Sequence, residues 1–166
     1  MASTLTALLD EIQADKALYD RNPESPASAE ELQTLQQEAA QQLGYKLPAA
    51  YLDILTRSNG VDWNGFELYG TGELTTETTE GQTFYERQGL VEANLVWRDY
   101  PPNNDYVFLA QSGDELYCHH LTNDKFEIVD RITKEPIYEP STFDTCEELL
   151  EKLLNHMLNR YDDAEA

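Results

Sequence analysis

Residues 44–60 read GYKLPAAYLDILTRSNG, and this stretch decides much of the fold. Pro48 suits the first turn of a helix, because the N–H that proline lacks would have no partner there. The apolar spacing that follows predicts one buried helical face, formed by Tyr51, Leu52 and Leu55. Asn59-Gly60 then ends the helix, since glycine readily adopts the positive φ that a helix-to-strand turn requires.

Two further helices are predicted before this stretch. The first has an apolar face with helical spacing, made of Leu5, Leu8, Leu9 and Ile12. Ser28 and Glu31 form a capping box that begins the second helix, and Gly44 ends it. Pro23 and Pro26 separate the two helices, because the residue before a proline is disfavoured in the helical region.

Beyond residue 60 the pattern changes to short apolar runs that are typical of strands. Strands are predicted at 66–69, 106–110, 115–121 and 126–129, with a helix within 86–99 and a short edge piece at 136–138. Residues 71–83 are rich in Thr, Glu and Gly, which predicts either a mobile surface loop or a weak, exposed hairpin. Thr145 and Glu148 give a second capping box, which begins a last helix with a broad apolar face.

Helices at both ends of an antiparallel meander predict an α+β fold, with N-terminal helices and a C-terminal helix flanking the sheet. The length of 166 residues fits a single domain over 1–166. Within it we expect a helical extension at 1–27, a core at 28–161 and an acidic tail at 162–166.

The charge balance disfavours two classes of partner. The chain carries 32 acidic and 11 basic residues, a net charge of −21. This disfavours binding to nucleic acid and to anionic membranes, because both attract Lys and Arg. The first residues do not resemble a signal peptide, and no stretch is long and apolar enough to span a bilayer, so we expect a cytoplasmic protein.

Candidate catalytic and metal-binding groups are few. Cys118-His119-His120 is the most conspicuous cluster, and a strand would place Cys118 and His120 on one face. A zinc site would need two more ligands, for which Cys146 and His156 are the candidates. We predict no cofactor, no metal and no enzymatic activity, and keep a small enzyme that uses the Cys118–His120 face as an alternative.

The distribution of the acidic residues suggests a protein partner. No Lys or Arg occurs between Arg57 and Arg87, or between Arg98 and Lys125, although both stretches hold acidic and aromatic residues. Such a surface either only solvates the protein or steers a basic partner towards it. The residues predicted to bind the partner are Asp62, Trp63, Glu67, Glu73, Glu77, Asp114 and Glu115.

The order of these motifs resembles the SUKH superfamily, which joins fungal cell-wall-synthesis regulators to bacterial immunity proteins. Leu47-Pro48, Tyr51 and Asn59-Gly60 resemble its signature, and later pieces match in order over residues 30–160. The resemblance implies a SUKH-like binding protein. Bacterial members commonly neutralise toxins, often nucleases, by one-to-one binding in the cytoplasm, which implies a basic toxin domain as partner. The alternative is a regulatory adaptor without a toxin, as the fungal relatives suggest.

Overall fold

The computed structural model describes residues 4–72, 74–77 and 79–161. The helices are α1 (Thr4–Leu18), α2 (Ala29–Glu38), α3 (Ala49–Leu55), α4 (Leu90–Trp97) and α5 (Cys146–Met157). The strands are β1 (Val61–Trp63), β2 (Phe66–Leu68), β3 (Leu74–Glu77), β4 (Thr83–Arg87), β5 (Tyr106–Gln111), β6 (Glu115–His120), β7 (Lys125–Asp130) and β8 (Thr142–Phe143). A π-helical turn, Ala39–Leu43, extends α2, and a 3-10 helix, Pro101–Asp105, follows α4.

The main sheet confirms the predicted α+β fold. Its six strands run in the order β1-β2-β5-β6-β7-β8, and every neighbouring pair is antiparallel. β5, β6 and β7 form the predicted meander. At the far edge β7 pairs with β8, whereas the predicted edge piece at 136–138 makes only an isolated bridge, between Pro136 and Val129.

Both capping boxes predicted from the sequence are present. Ser28 Oγ accepts a hydrogen bond from the N–H of Glu31, and Glu31 Oε1 accepts one from the N–H of Ser28, over 3.0 and 2.9 Å. Thr145 and Glu148 make the same pair of bonds at the start of α5. Each box satisfies backbone donors that a helix start otherwise leaves unpaired.

Residues 71–99 differ in part from the prediction. β3 and β4 pair as an antiparallel hairpin, which confirms the hairpin alternative over the loop. The helix predicted within 86–99 begins only at Leu90, because residues 83–87 belong to β4. Thr83, Phe84 and Tyr85 are β-branched or aromatic residues, which fit a strand better than a helix.

The strand predicted at 66–69 is one arm of a hairpin, and its other arm, β1, was missed. Asn64 and Gly65 connect the two strands with φ values of 55° and 86°. Positive φ at both central residues defines the type I′ turn, whose twist matches that of the flanking strands. Asn-Gly is the residue pair that most favours this turn.

The stretch at 44–60 is fastened to the end of β2 by buried polar groups. Tyr51 donates its hydroxyl hydrogen to the carbonyl of Tyr69 over 2.5 Å. Asn59 Nδ2 donates to Thr71 Oγ1 over 2.9 Å, and Asn59 Oδ1 accepts from the N–H of Thr71 over 2.8 Å. Gly60 has a φ of 86°, and a Cβ there would lie 2.9 Å from the carbonyl oxygen of Leu68. We call these bonds from Tyr51 and Asn59 the latch.

The buried face of α3 differs from the prediction by one residue. Tyr51 and Leu55 are buried as expected, but Ile54 takes the third core position and Leu52 is only half-buried. Ile54 lies three residues after Tyr51, so it also falls on the same face of a 3.6-residue helix.

The N-terminal helix shares the hydrophobic core of the sheet. Leu9 and Ile12 of α1 are buried in the same cluster as the apolar face of α5. Lys16 is also buried: its ammonium donates to Glu24 Oε1 over 2.8 Å and to the carbonyl of Asp62 over 3.2 Å. Glu24 Oε2 accepts from the N–H of Asp62 over 3.0 Å. This buried ion pair therefore ties α1 to β1.

We expect Tyr51→Phe to lower the free energy of unfolding by about 1–3 kcal/mol, because it leaves the buried carbonyl of Tyr69 without this donor. Tyr100→Phe is the matched control, since the Tyr100 side chain is exposed. Urea unfolding followed by circular dichroism measures both. Equal stability of the two variants would contradict the importance of the latch.

Candidate functional site

A groove of about 270 Å³ lies between the β1–β2 hairpin and the turn that joins β5 to β6. Its lining comprises Asp62, Gly65, Phe66, Glu67, Gln111, Ser112, Gly113 and Arg131. The β2–β5 pairing brings the two turns together, because Glu67 lies directly opposite Gln111 in the register. The predicted residues Asp62 and Glu67 therefore lie beside the turn that precedes Asp114.

Asp62 and Glu67 face each other across the hairpin. They are Cα partners in the antiparallel register of β1 and β2, so their side chains project from the same face. Like charges at directly opposed positions destabilise a sheet. Gln88 holds Glu67 in place, donating from its backbone N–H over 3.0 Å and from Nε2 over 3.2 Å.

The cations near this carboxylate pair offset its charge only in part. Burial raises the pKa of Glu67, and the Asp62 charge adds to the shift although the hydrogen bonds from Gln88 oppose it. Partial desolvation, followed by the Glu24 charge, raises the pKa of Asp62, while Lys16 and Arg21 act in the opposite direction. Within the described ranges neither carboxylate forms a salt bridge. A cation that approaches the pair is therefore attracted by both carboxylates.

Arg131 enters the same groove from the end of β7. Its Nη1 donates to the carbonyl of Ser112 over 2.8 Å, and its backbone N–H donates to the carbonyl of Asp114 over 2.9 Å. The base-free stretches of the sequence did not anticipate this residue, because it lies just beyond the end of the second stretch, at Lys125. The guanidinium supports the β5–β6 turn.

The other residues predicted to bind a partner are dispersed. Asp114 is exposed at the β5–β6 turn. Trp63 is buried on the opposite side of the hairpin from Asp62, with Tyr19 5.9 Å away between ring centroids. Glu73 lies outside the described residues, and of Glu77 only the backbone, in β3, is described.

Glu115 points into the protein, where it is only 8% exposed. Its carboxylate accepts hydrogen bonds from Ser112 Oγ at 3.1 Å, from Tyr117 Oη at 3.3 Å and from the hydroxyl of Tyr138. Burial raises the pKa of Glu115 despite these bonds. In this position the carboxylate offers little surface to a partner, and it serves the packing beneath the turn instead.

The Cys118-His119-His120 cluster is occupied by structural contacts. Cys118 is fully buried, and burial raises the pKa of its thiol well above the usual value, which disfavours the thiolate. His120 Nε2 lies 2.6 Å from Asp105 Oδ2, and the His119 ring stacks on Phe126 with 4.1 Å between centroids. Across the described ranges, no group of three or more His, Cys, Asp and Glu side chains is arranged to hold a metal ion.

Two features that shape the site were not predicted from the sequence, although one of them, the β1–β2 hairpin, has a recognisable sequence pattern. Asn64-Gly65 flanked by apolar residues indicates a hairpin, and would have paired Asp62 with Glu67. The support of Glu67 by Gln88 left no such signal, because it depends on how the chain returns after the β3–β4 hairpin.

We expect Glu115→Gln to change the pH dependence of stability. A native pKa above the ordinary 4.5 means that the folded chain binds the proton more tightly than the unfolded chain. The stability that wild-type Glu115 contributes is thus fully present below about pH 4.5 and is lost as the pH rises through the raised pKa. Between pH 4.5 and 7 the wild type should lose free energy of unfolding relative to Glu115→Gln.

Urea unfolding across this pH range makes the comparison, with Asp53→Asn as the control. That change removes the same charge from an exposed position in α3. A constant difference between wild type and Glu115→Gln at all pH values would show that Glu115 is not desolvated as described.

Comparisons with known proteins bear on the whole fold. Residues 26–152 match the SMI1 / KNR4 family (SUKH-1). Among curated proteins, none matches this chain in sequence. Within the part of the chain that the structure describes, every helix is too short or too polar to cross a membrane. The match covers most of the α+β fold, from the residues before α2 into α5, and the chain therefore belongs to the SMI1/KNR4 (SUKH-1) family.

Proposed function

We propose that this chain is an immunity protein that binds a basic bacterial toxin domain, of nuclease type, and covers its active site. It acts one-to-one in the cytoplasm, by binding and not by catalysis. The observation that carries the proposal is the Asp62–Glu67 pair beside the β5–β6 turn, two partly desolvated carboxylates that form no salt bridge with any residue that the structure describes. The SUKH group includes bacterial immunity proteins and the SMI1/KNR4 regulators, which agrees with a binding role.

Electrostatics favour a cationic partner. A nuclease presents Lys and Arg to its substrate because nucleic acid is a polyanion. A chain of net charge −21 attracts such a surface at long range and accelerates the encounter. At short range, a Lys or Arg placed between Asp62 and Glu67 relieves their mutual repulsion. The same contact displaces the toxin's nucleic-acid substrate.

Apolar side chains are also exposed at the end of α1. Leu18 and Tyr19 lie there, and the Tyr19 ring contacts Trp63, on the opposite side of the hairpin from Asp62. Aromatic side chains at the centre of an interface are common sources of binding energy. Leu18 and Tyr19 precede the segment that matches the family, so we propose that they contribute to the choice of partner. We further propose Asp114, Glu73 and Glu77 as peripheral contacts.

The experiment begins with capture of the tagged chain from its native cells and identification of a stoichiometric basic partner. That partner, expressed alone in a new host, should arrest growth, and co-expression of this chain should restore it. Asp62→Lys should weaken the complex at least about 10-fold, because it places a cation where the partner's cation binds. Asp62→Asn, which only removes the charge, should weaken it less.

Asp53→Lys is the matched control, because it makes the same change in net charge at an exposed position of α3. Melting temperatures check that each variant is folded. If Asp62→Lys protects the host as well as Asp53→Lys does, the acidic groove is not the binding site. Several substoichiometric, non-toxic partners would instead support the regulatory adaptor.

A further inference from the structure

The acidic groove continues along α4 into a wider depression of about 590 Å³. Arg131 lines both ends, and a connecting groove shares Gln111 with the acidic part and Val96 and Trp97 with the wide part. The wide part is bounded by α4, the following 3-10 helix and the turn after β7. Its lining comprises Val96, Trp97, Asp99, Tyr100, Asn103, Arg131, Ile132 and Lys134.

Three large apolar side chains in this depression face solvent. The exposed fractions are 71% for Val96, 63% for Tyr100 and 87% for Ile132. Between them the Trp97 ring is covered by two cations, with Arg131 Cζ at 5.2 Å and Lys134 Nζ at 5.4 Å from its centroid. A contiguous exposed apolar surface of this kind marks an interaction site on a soluble protein. We call it the α4 face.

The charges around the α4 face have no partners of opposite sign within the described chain. Arg131 and Lys134 donate to backbone carbonyls, those of Ser112 and Arg131 respectively, and form no salt bridge in the described ranges. Asp99 is exposed and also forms no salt bridge there. The face therefore holds two cations and one anion around an apolar centre.

A face that carries both signs of charge can pair with the same face of a second copy. In a two-fold symmetric contact, a residue of one copy that meets a different residue of the other copy makes that contact twice, so a cation of each copy can pair with an anion of the other. The acidic end of the groove, at Asp62 and Glu67, would repel a second copy, because that copy has the same net charge of −21. A basic toxin, by contrast, gains nothing from Arg131 and Lys134. The chemistry of the α4 face therefore favours a second copy over a basic partner.

We propose that the α4 face binds a second copy of this chain in a two-fold symmetric dimer. Val96, Tyr100 and Ile132 of the two copies form its apolar centre, and Lys134 of each copy pairs with Asp99 of the other. This inference stands apart from the immunity function, because it uses the opposite end of the groove and needs no toxin.

Sedimentation velocity of the purified chain at concentrations up to about 200 μM measures the dimer. The wild type should associate, and Ile132→Asp should weaken the association at least about 10-fold by placing a charge in the apolar centre. Leu18→Asp is the matched control, since it puts the same charge on another largely exposed aliphatic residue, away from the α4 face. Association should strengthen from about 0.05 to 0.5 M NaCl, because salt screens the repulsion between two acidic chains.

A charge exchange tests the pairing itself. Asp99→Lys and Lys134→Asp should each weaken the dimer, and the double variant should restore it, because the pair is then re-formed with its signs reversed. Aspartate tolerates the φ of 64° that Lys134 adopts. A monomer at every concentration and salt level, or a dimer that Leu18→Asp disrupts and Ile132→Asp does not, would overturn the proposal. Failure of the double variant to recover would overturn the Lys134–Asp99 pairing.

Discussion

The position of the acidic hairpin depends on the latch, the buried bonds from Tyr51 and Asn59 to the end of β2. Asn59 lies two residues before the hairpin, and Tyr69 and Thr71 lie one and three residues after it. The bonds between Asn59 and Thr71 therefore close a segment of eleven residues, and Tyr51 holds its end at Tyr69. Gly60 allows the two ends to approach, because a side chain there would meet the Leu68 carbonyl. With its ends held, the hairpin has one register, which pairs Asp62 with Glu67.

Holding two carboxylates together has an energetic cost that the rest of the fold must offset. β2 pairs with β5, Gln88 donates two hydrogen bonds to Glu67, and the buried Lys16–Glu24 pair supports the Asp62 backbone. These contacts restrain the acidic pair before any partner arrives. A pre-organised charged site loses less conformational entropy when it binds. A cation that binds there would also relieve the repulsion between the two carboxylates, which adds to its affinity.

The two ends of the groove differ in the charges that they carry. At the hairpin end the two carboxylates outnumber the one cation that lines the groove, Arg131, which suits a partner of opposite charge. At the α4 end both signs occur around exposed apolar side chains, and Trp97 carries two cations on its ring. Buried Asn94 fixes this end to the sheet, since its side-chain amide donates to the carbonyl of Phe108 and accepts from the Phe108 N–H, each over 2.8 Å.

Local chemistry made part of this structure predictable from the sequence. Capping boxes begin α2 and α5 where Ser28 and Thr145 predict them, because helix starts depend on residues three positions apart. The meander follows from short turns between apolar runs. Contacts between distant segments could not be predicted: Arg131 enters a groove that appeared free of bases, and Glu115 turns inward because Tyr138 and Tyr117 bond its carboxylate. Residue type alone does not reveal which acids remain at the surface.

Asp62 and Glu67 form a partly desolvated acidic pair that the surrounding cations offset only in part. Carboxyl ¹³C NMR titration of the wild-type chain measures the pKa values of the two groups directly, and the Asp62→Asn and Glu67→Gln variants assign the two resonances. Both groups are expected to titrate above their ordinary pKa values in the free protein, and removing the Asp62 carboxylate is expected to lower the pKa of Glu67. Ordinary pKa values, and a Glu67 pKa that does not respond to Asp62→Asn, would contradict this expectation.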